Sequence, residues 1–280
     1  MEKNKQVVVV GLGEVGKPLL QLVSHHCQAV GVDVAPPQER VEKVDVLHVC
    51  YPFAIKDFVG ETVRYIGLFK PELTIINSTV AVGTTRAIAE RTGAAVVYSP
   101  VRGKHARMLE DLRHYVKFIG PVDPGAGQKA AAHFQSLGLK TKLLCSPEAT
   151  ELAKLTETTY FGLLIAWAQE VERYCDQWNQ DYDEVASFWE EIKYLSPVTY
   201  FPGIIGGHCV MPNIEILSKF DHSPILKAIQ DSNQKKVERE GSKEQKPSTI
   251  KNKQVSGKDT QLASSHLSRT PRTRTTSCGS

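Results

Sequence analysis

The chain has 280 residues, 41% of them hydrophobic, and a formal net charge of +3, so it is expected to fold on its own over most of its length, as one large or two ordinary domains. No apolar run of about 18 residues occurs, and the start "MEKNKQVVVVGLG" carries no signal-peptide pattern, so a cytoplasmic location without a membrane span is expected. The six cysteines, Cys27, Cys50, Cys145, Cys175, Cys209 and Cys278, show no C-x-x-C spacing; reduced thiols are expected, and neither a metal site nor a disulfide scaffold.

The first local signal is the stretch "QVVVVGLGEVGKPLLQLVSHHCQAVGVDV". A β-branched strand runs into Gly11, Leu12, Gly13, Glu14, Val15 and Gly16, then into a helix-length segment with Leu19, Leu20 and Val23, then into a second strand ending at Asp33. Strand, glycines, helix and acidic strand end in that order are the context a dinucleotide fingerprint requires. Gly11 would permit a tight turn, Gly13 a close approach of backbone to pyrophosphate, and Gly16 close packing of helix on strand. The helix N-terminus would supply N–H groups to the phosphates. Asp33 would accept hydrogen bonds from the adenosine ribose, which favours NAD over NADP, although Arg40 keeps that choice open. Glu14 is expected to face solvent, since a carboxylate beside a pyrophosphate would repel it. The competing reading is that these glycines only serve a tight turn between strand and helix.

Strands and helices then alternate. "VDVLHVCYPF" reads as a strand, 55–68 as a helix, "LTIINST" as a strand, "GTTRAIAERTG" as a helix and "AAVVYSP" as a strand. "VKFIGP", the helix "GAGQKAAAHFQSLG" and the strand "TKLLCS" follow. This alternation predicts an α/β fold, a Rossmann-like doubly wound parallel sheet, with ligands at the carboxyl ends of the strands. Tyr51 and Pro52, Ser78 and Thr79, and Ser99 and Pro100 fall at such ends. Past Pro147 a helix of about thirty residues, apolar on a broad face, leads to more helix near "YDEVASFWEEI" and then to the loop "GIIGGHCVMPN". From Asp231 onward aromatic residues are absent, and eleven Lys/Arg stand against five Asp/Glu, so a basic disordered tail is expected beyond a body of slightly negative charge. The expected division is a dinucleotide-binding domain at 1–146, a helical domain at 147–230 and a tail at 231–280. The tail's "SRTPRTRTT" is expected to be solvated; no nucleic-acid motif accompanies it.

Five stretches, "GLGEVGKPLL", "INSTVAVGTT", "YSPVR", "EATELAKLTETTY" and "GIIGGHCVMPN", occur in the order and character of the UDP-glucose/GDP-mannose dehydrogenase family, the nucleotide-sugar 6-dehydrogenases. The chain resembles that family over roughly residues 6–218. The resemblance implies oxidation of a sugar primary alcohol to a carboxylate with two NAD molecules, through a thiohemiacetal and a thioester on cysteine. Cys209 would then be the nucleophile, Lys154 the cation that stabilises the reacting sugar oxygen, and Thr79 a threonine near the nicotinamide. Gly206 and Gly207 would let substrate lie against backbone beside Cys209, and His208 would help hold the thiolate if its ring points inward. Without the resemblance, Cys209 reads equally as a small apolar residue filling a turn, Lys154 as a helix-surface lysine, and Thr79 as a turn cap.

Three positions depart from the family pattern. Thr158 stands where an asparagine is usual, Asn213 where an aspartate is usual, and Val101 where a glutamate follows Ser-Pro, with Arg102, Lys104 and His105 nearby. A threonine hydroxyl cannot reproduce an amide's two donors, and Asn213 cannot act as a carboxylate base. His105 titrates in the neutral range and is a candidate base. Only about ten residues separate Asp33 from the next strand, so one helix and one strand are expected to be missing, as is the family's C-terminal nucleotide-binding domain. Three classes follow: an NAD-dependent dehydrogenase acting on a CH–OH group of a sugar or nucleotide-sugar-like substrate with Cys209 as covalent nucleophile, a catalytically degenerate NAD-binding sensor or regulator, or a nucleotide-sugar dehydrogenase completed by a partner chain. The first is preferred. The apolar helix 148–177, which forms the dimer core in the family, predicts a homodimer.

Overall fold

Four consecutive valines, Val7 to Val10, form most of β1 (Gln6–Val10) and alternate between two cores. Val7 and Val9 pack with Leu19, Leu22 and Phe134, whereas Val8 and Val10 pack with Leu47, Ile76 and Ile88. A β-branched run buried on both faces suits an inner parallel strand. The computed structural model describes residues 5–33, 43–103, 105–189, 192, 200–207, 209–220 and 222–244. After β1 come α1 (Gly16–Ser24), β2 (Gln28–Val32), β3 (Val46–Val49), α2 (Phe58–Phe69), β4 (Leu73–Ile76), α3 (Thr84–Thr92) and β5 (Val96–Tyr98). Then follow α4 (Met108–His114), β6 (Lys117–Pro121), α5 (Pro124–Ser136), β7 (Thr141–Leu143), α6 (Pro147–Trp178), α7 (Tyr182–Ser187), α8 (Val210–Ser218) and α9 (Pro224–Glu244).

The strands form one sheet in the order β2-β1-β3-β4-β5-β6-β7. All neighbouring strands are parallel except β5 and β6, whose antiparallel joint consists of Val97 opposite Pro121 and Tyr98 opposite Gly120. The expected parallel sheet is thus mostly parallel. Its one reversal falls where Pro121, lacking an N–H, shortens the ladder. Because β1 to β5 run the same way, their carboxyl ends, from Val10 to Tyr98, line one edge of the sheet.

Two compact units divide the chain at Glu157 and Thr158, not at the expected 146. The first turns of α6 belong to the first unit because their carboxylates are fastened there. Glu148 pairs with Arg86 at 2.5 Å, and Glu151 accepts from Gly83 N, Thr85 N and Thr85 Oγ1 at 2.6–2.9 Å. Glu151 is fully buried and serves as the N-terminal cap of α3 from a distant helix. Burial raises its carboxyl above the ordinary range, while those hydrogen bonds act in the opposite direction.

In the second unit the rest of α6, α8 and α9 share a core of Ile165, Ala166, Val210, Ile214 and Ile229. The expectation that order ends at residue 230 is corrected: α9 continues to Glu244. Its polar composition hides a partnered face. Ser232 Oγ donates to Ala166 O at 3.2 Å, and buried Lys236 reaches Glu172 at 2.6 Å and Glu240 at 3.2 Å. The bonds to Ala166 and Glu172 are long-range bonds to α6, invisible to a composition count. The remaining tail positions, 245–280, lie outside the described residues. Among the described residues no helix is long and apolar enough to cross a membrane, and no cluster of three or more His, Cys, Asp or Glu is arranged to hold a metal.

Candidate active site

The turn between β1 and α1 closes only on glycine at two of its three positions. Gly11 has φ +89°, and a Cβ there would lie 2.5 Å from Tyr51 N; at Gly16 it would fall 1.7 Å from Gly11 O. Gly13 differs, since it is exposed and a Cβ would meet nothing within 4 Å. Glu14 is exposed as expected, and Val15 precedes α1 as an N-cap without a side-chain hydrogen bond. Gly11 N donates to Val32 O at 2.8 Å, which sets the turn beside the end of β2, where Asp33 is exposed. Arg40, which bears on the NAD or NADP choice, lies outside the described residues.

Two other expected cofactor residues carry structural bonds of their own. Tyr51 is buried, its hydroxyl 2.5 Å from Thr62 Oγ1, and its phenol is pushed well up, mainly by burial. Ser78 Oγ donates to Tyr51 O at 2.6 Å, tying the end of β4 to the end of β3. Pro52 is exposed and Thr79 half-buried, so these are the neighbours with surface left to offer.

Beyond β5 the chain enters Ser99, Pro100, Val101 and Arg102. Val101 is buried, and the Arg102 guanidinium stacks over Tyr115 and Phe118, each 5.3 Å away. The backbone of His105 opens a 3-10 turn, but its side chain, like Lys104, lies outside the described residues. Lys154, on α6, is mostly covered and stands 3.5 Å from Glu157. Sequence reasoning missed Lys117. It is buried on β6, with Nζ donating to Ser99 O at 2.8 Å and Pro100 O at 3.0 Å. Burial first, then Lys154, lowers it to about 7, against an opposing pull from Cys50. Cys50 itself is pushed up to about 12 by burial, which makes it a poor nucleophile.

The second unit holds the loop with Cys209. That cysteine is exposed and forms the N-cap of α8. Gly203, Gly206 and Gly207 have no neighbour within 4 Å of an added Cβ, so space is open along the loop; Gly207 also takes φ +78°. His208 lies outside the described residues. The structure brings two of the departures together: Asn213 Nδ2 donates to Thr158 Oγ1 at 2.7 Å, and both are buried. Two residues that sequence reasoning passed over hold the loop. Asn233 of α9 brackets Ile205, accepting from its N–H at 2.7 Å and donating to its carbonyl at 3.1 Å, while Gln169 of α6 donates to Gly203 O at 2.7 Å.

Residues 148–235 match the family described as UDP-glucose/GDP-mannose dehydrogenase family, central domain. The UDP-N-acetyl-D-mannosamine dehydrogenase of Methanococcus vannielii is 22% identical over 84% of this chain and 66% of its own; that of Methanococcus maripaludis strain C7 is 24% identical over 83% and 67%. The chain thus spans about two thirds of the length of these curated relatives. Among solved structures, the UDP-D-ManNAc dehydrogenase of Pyrococcus horikoshii superposes with a TM-score of 0.74 at 19% identity, covering 85% of this chain and 70% of that one. The 3-hydroxyisobutyrate dehydrogenase of Mycobacterium tuberculosis superposes at 0.65 and 16% identity, covering 83% and 93%. The five motifs and the domain match agree: the chain carries at 148–235 the central domain of the UDP-glucose/GDP-mannose dehydrogenase family and is a relative of its dehydrogenases.

Proposed function

We propose that this protein is an NAD-dependent oxidoreductase acting on a CH–OH group of a nucleotide sugar, with Cys209 as covalent nucleophile. The observation that carries this reading is the presence in one chain of a glycine turn open at Gly13 and an exposed thiol at the head of α8. Gly11 and Gly16 are required by the fold itself, whereas among the described residues nothing lies within 4 Å of a Cβ at Gly13. Its bare backbone, the N-terminus of α1 without an acidic residue in its first turn, and exposed Asp33 fit a pyrophosphate and a ribose. NAD, when bound, would supply the hydride acceptor.

The chain's own residues would do the rest. Loss of a hydride and a proton converts the alcohol to an aldehyde, and Cys209 Sγ then adds to its carbonyl carbon to give a thiohemiacetal. Loss of a second hydride, for which NAD would be the acceptor, and of the hydroxyl proton would leave a thioester, which water would cleave to the carboxylate and the free thiol. Cys209 stands where the free N–H groups and dipole of α8 favour negative charge. Lys154 would stabilise the oxygen that becomes anionic, and Thr79, with Pro52, would border the nicotinamide. Arg102, Gly206, Gly207 and His208 would contact substrate, as would His105.

A second reading, an NAD-binding regulator without turnover, is favoured by the Asn213–Thr158 pair. Its amide is committed to a hydroxyl and offers no base for hydrolysis. Titration with NAD, then UDP-N-acetylmannosamine, UDP-glucose and GDP-mannose, separates the two. NADH release with an adduct on Cys209 is expected; tight NAD binding without NADH across that panel would favour the regulator.

A homodimer through α6 is part of the proposal. Tyr160, Leu163, Trp167, Tyr174 and Trp178 recur at helical spacing, and Tyr160, Trp167 and Trp178 are 58%, 55% and 76% exposed. Such an aromatic stripe is the composition of an interface centre. Sedimentation at micromolar concentration is expected to show a dimer, converted to monomer by Trp167→Glu; a monomeric native protein would refute it.

A further inference from the structure

We propose that Lys117 is a positioning residue that fixes the Ser99 to Arg102 segment in its substrate-binding conformation; this rests on the dehydrogenase reading for what the segment binds. β5 ends at Tyr98, so the carbonyls of Ser99 and Pro100 have left the strand, and a buried ammonium receives both, at 2.8 and 3.0 Å. Two further fastenings come from the same short stretch. Ser99 Oγ donates to Phe118 O at 2.8 Å, and Arg102 stacks on Tyr115 and Phe118. Tyr115, Lys117 and Phe118 therefore hold Ser99, Pro100 and Arg102, and of the three Lys117 alone reaches two successive carbonyls. Val101 of the segment is buried and has no polar side chain, so the backbone of its first two residues is held by Lys117.

A lysine at an inner-strand position is costly, and a purely structural role would be met by an apolar side chain. The groups around Lys117 sharpen the point. Cys50 just past β3, His48 on β3 and Lys154 from α6 all interact with it electrostatically, and the Phe134 ring of α5 lies 5.0 Å from Nζ. No carboxylate acts on it among these, so its anchor is the carbonyl pair. Burial and Lys154 bring its titration to about 7, so the fully charged anchor is present below neutrality and weakens above it.

The test compares wild type with Lys117→Met, which has no donors, and Lys117→Gln, which keeps two N–H donors at lower burial cost. Hydrogen exchange over 99–103 is expected to quicken about tenfold in Lys117→Met, with β1 and β4 still protected, and less in Lys117→Gln. KM for the best nucleotide sugar of the panel is expected to rise about tenfold with the NAD dissociation constant unchanged. Unaltered exchange over 99–103 overturns the proposal, and so does equal weakening of sugar and NAD, which marks general loosening. If wild type binds no sugar, the dehydrogenase reading fails and the exchange result alone decides whether Lys117 anchors the segment.

Discussion

Cys209→Ala is expected to abolish carboxylate formation and the second NADH, a loss of at least roughly 10³-fold, while NAD affinity stays within about twofold. The separation follows from where the residue sits. The glycine turn and Asp33 belong to the first unit, and Cys209 heads α8 in the second, so the substitution changes no residue of the dinucleotide turn. Nor should the fold suffer, because the side chain is exposed and α8 is anchored by buried Val210 and Ile214. The first hydride step needs no thiol, so a Cys209→Ala protein that still releases one NADH per sugar and accumulates aldehyde fits the mechanism. Equal carboxylate yield from wild type and variant, measured by mass spectrometry of the product, would remove Cys209 from it. Asn213→Asp is the informative companion: if hydrolysis limits the native chain, a carboxylate there raises the carboxylate yield only when Cys209 is present.

What sequence revealed was local chemistry. The Gly11 to Asp33 pattern is readable because its constraints lie within one strand, one turn and one helix, and the long apolar helix is readable because its period persists for eight or so turns. What stayed hidden depends on distance. Thr158 and Asn213 looked like two unrelated losses until the structure joined them across 55 residues. The part of α9 beyond residue 230 read as a tail because Ser232, Asn233 and Lys236 are polar letters, and α6 with the Ile205 loop turns them into a buried seam. Lys117 sits in a stretch whose other members spell a strand, and nothing local announces that its ammonium will find the two carbonyls beyond β5. In each case the deciding partner comes from an element that the chain reaches much earlier or later.

The second large effect concerns acid. His48 on β3 and His133 on α5 are fully buried, with their Nε2 atoms 3.0 Å apart, and Asn77 Nδ2 lies 3.1 Å from both His48 Nδ1 and Ile75 O. Ile75 O can only accept, so the atom facing it is the amide nitrogen, and His48 Nδ1 must accept as well. His48 therefore carries its proton on Nε2 and donates to His133 Nε2, which leaves the proton of His133 on Nδ1, buried without a partner. A proton added to either ring would set two N–H groups against each other. Both rings are accordingly held below the ordinary histidine range, His48 by burial, then His133 and Lys117, and His133 to about 3 by burial and then Lys5. Below pH 6.5 the unfolded chain binds more protons than the folded one, so stability rises with pH through this window and is lost as pH falls from 6.5 toward about 3. Between pH 7 and 5 denaturant unfolding should show a loss of about 2 kcal/mol from His133 alone, and a larger loss with His48 added. The double variant His48→Leu/His133→Leu should flatten that slope, and equal stability of the native chain at the two pH values would show that the pair accepts a proton while folded.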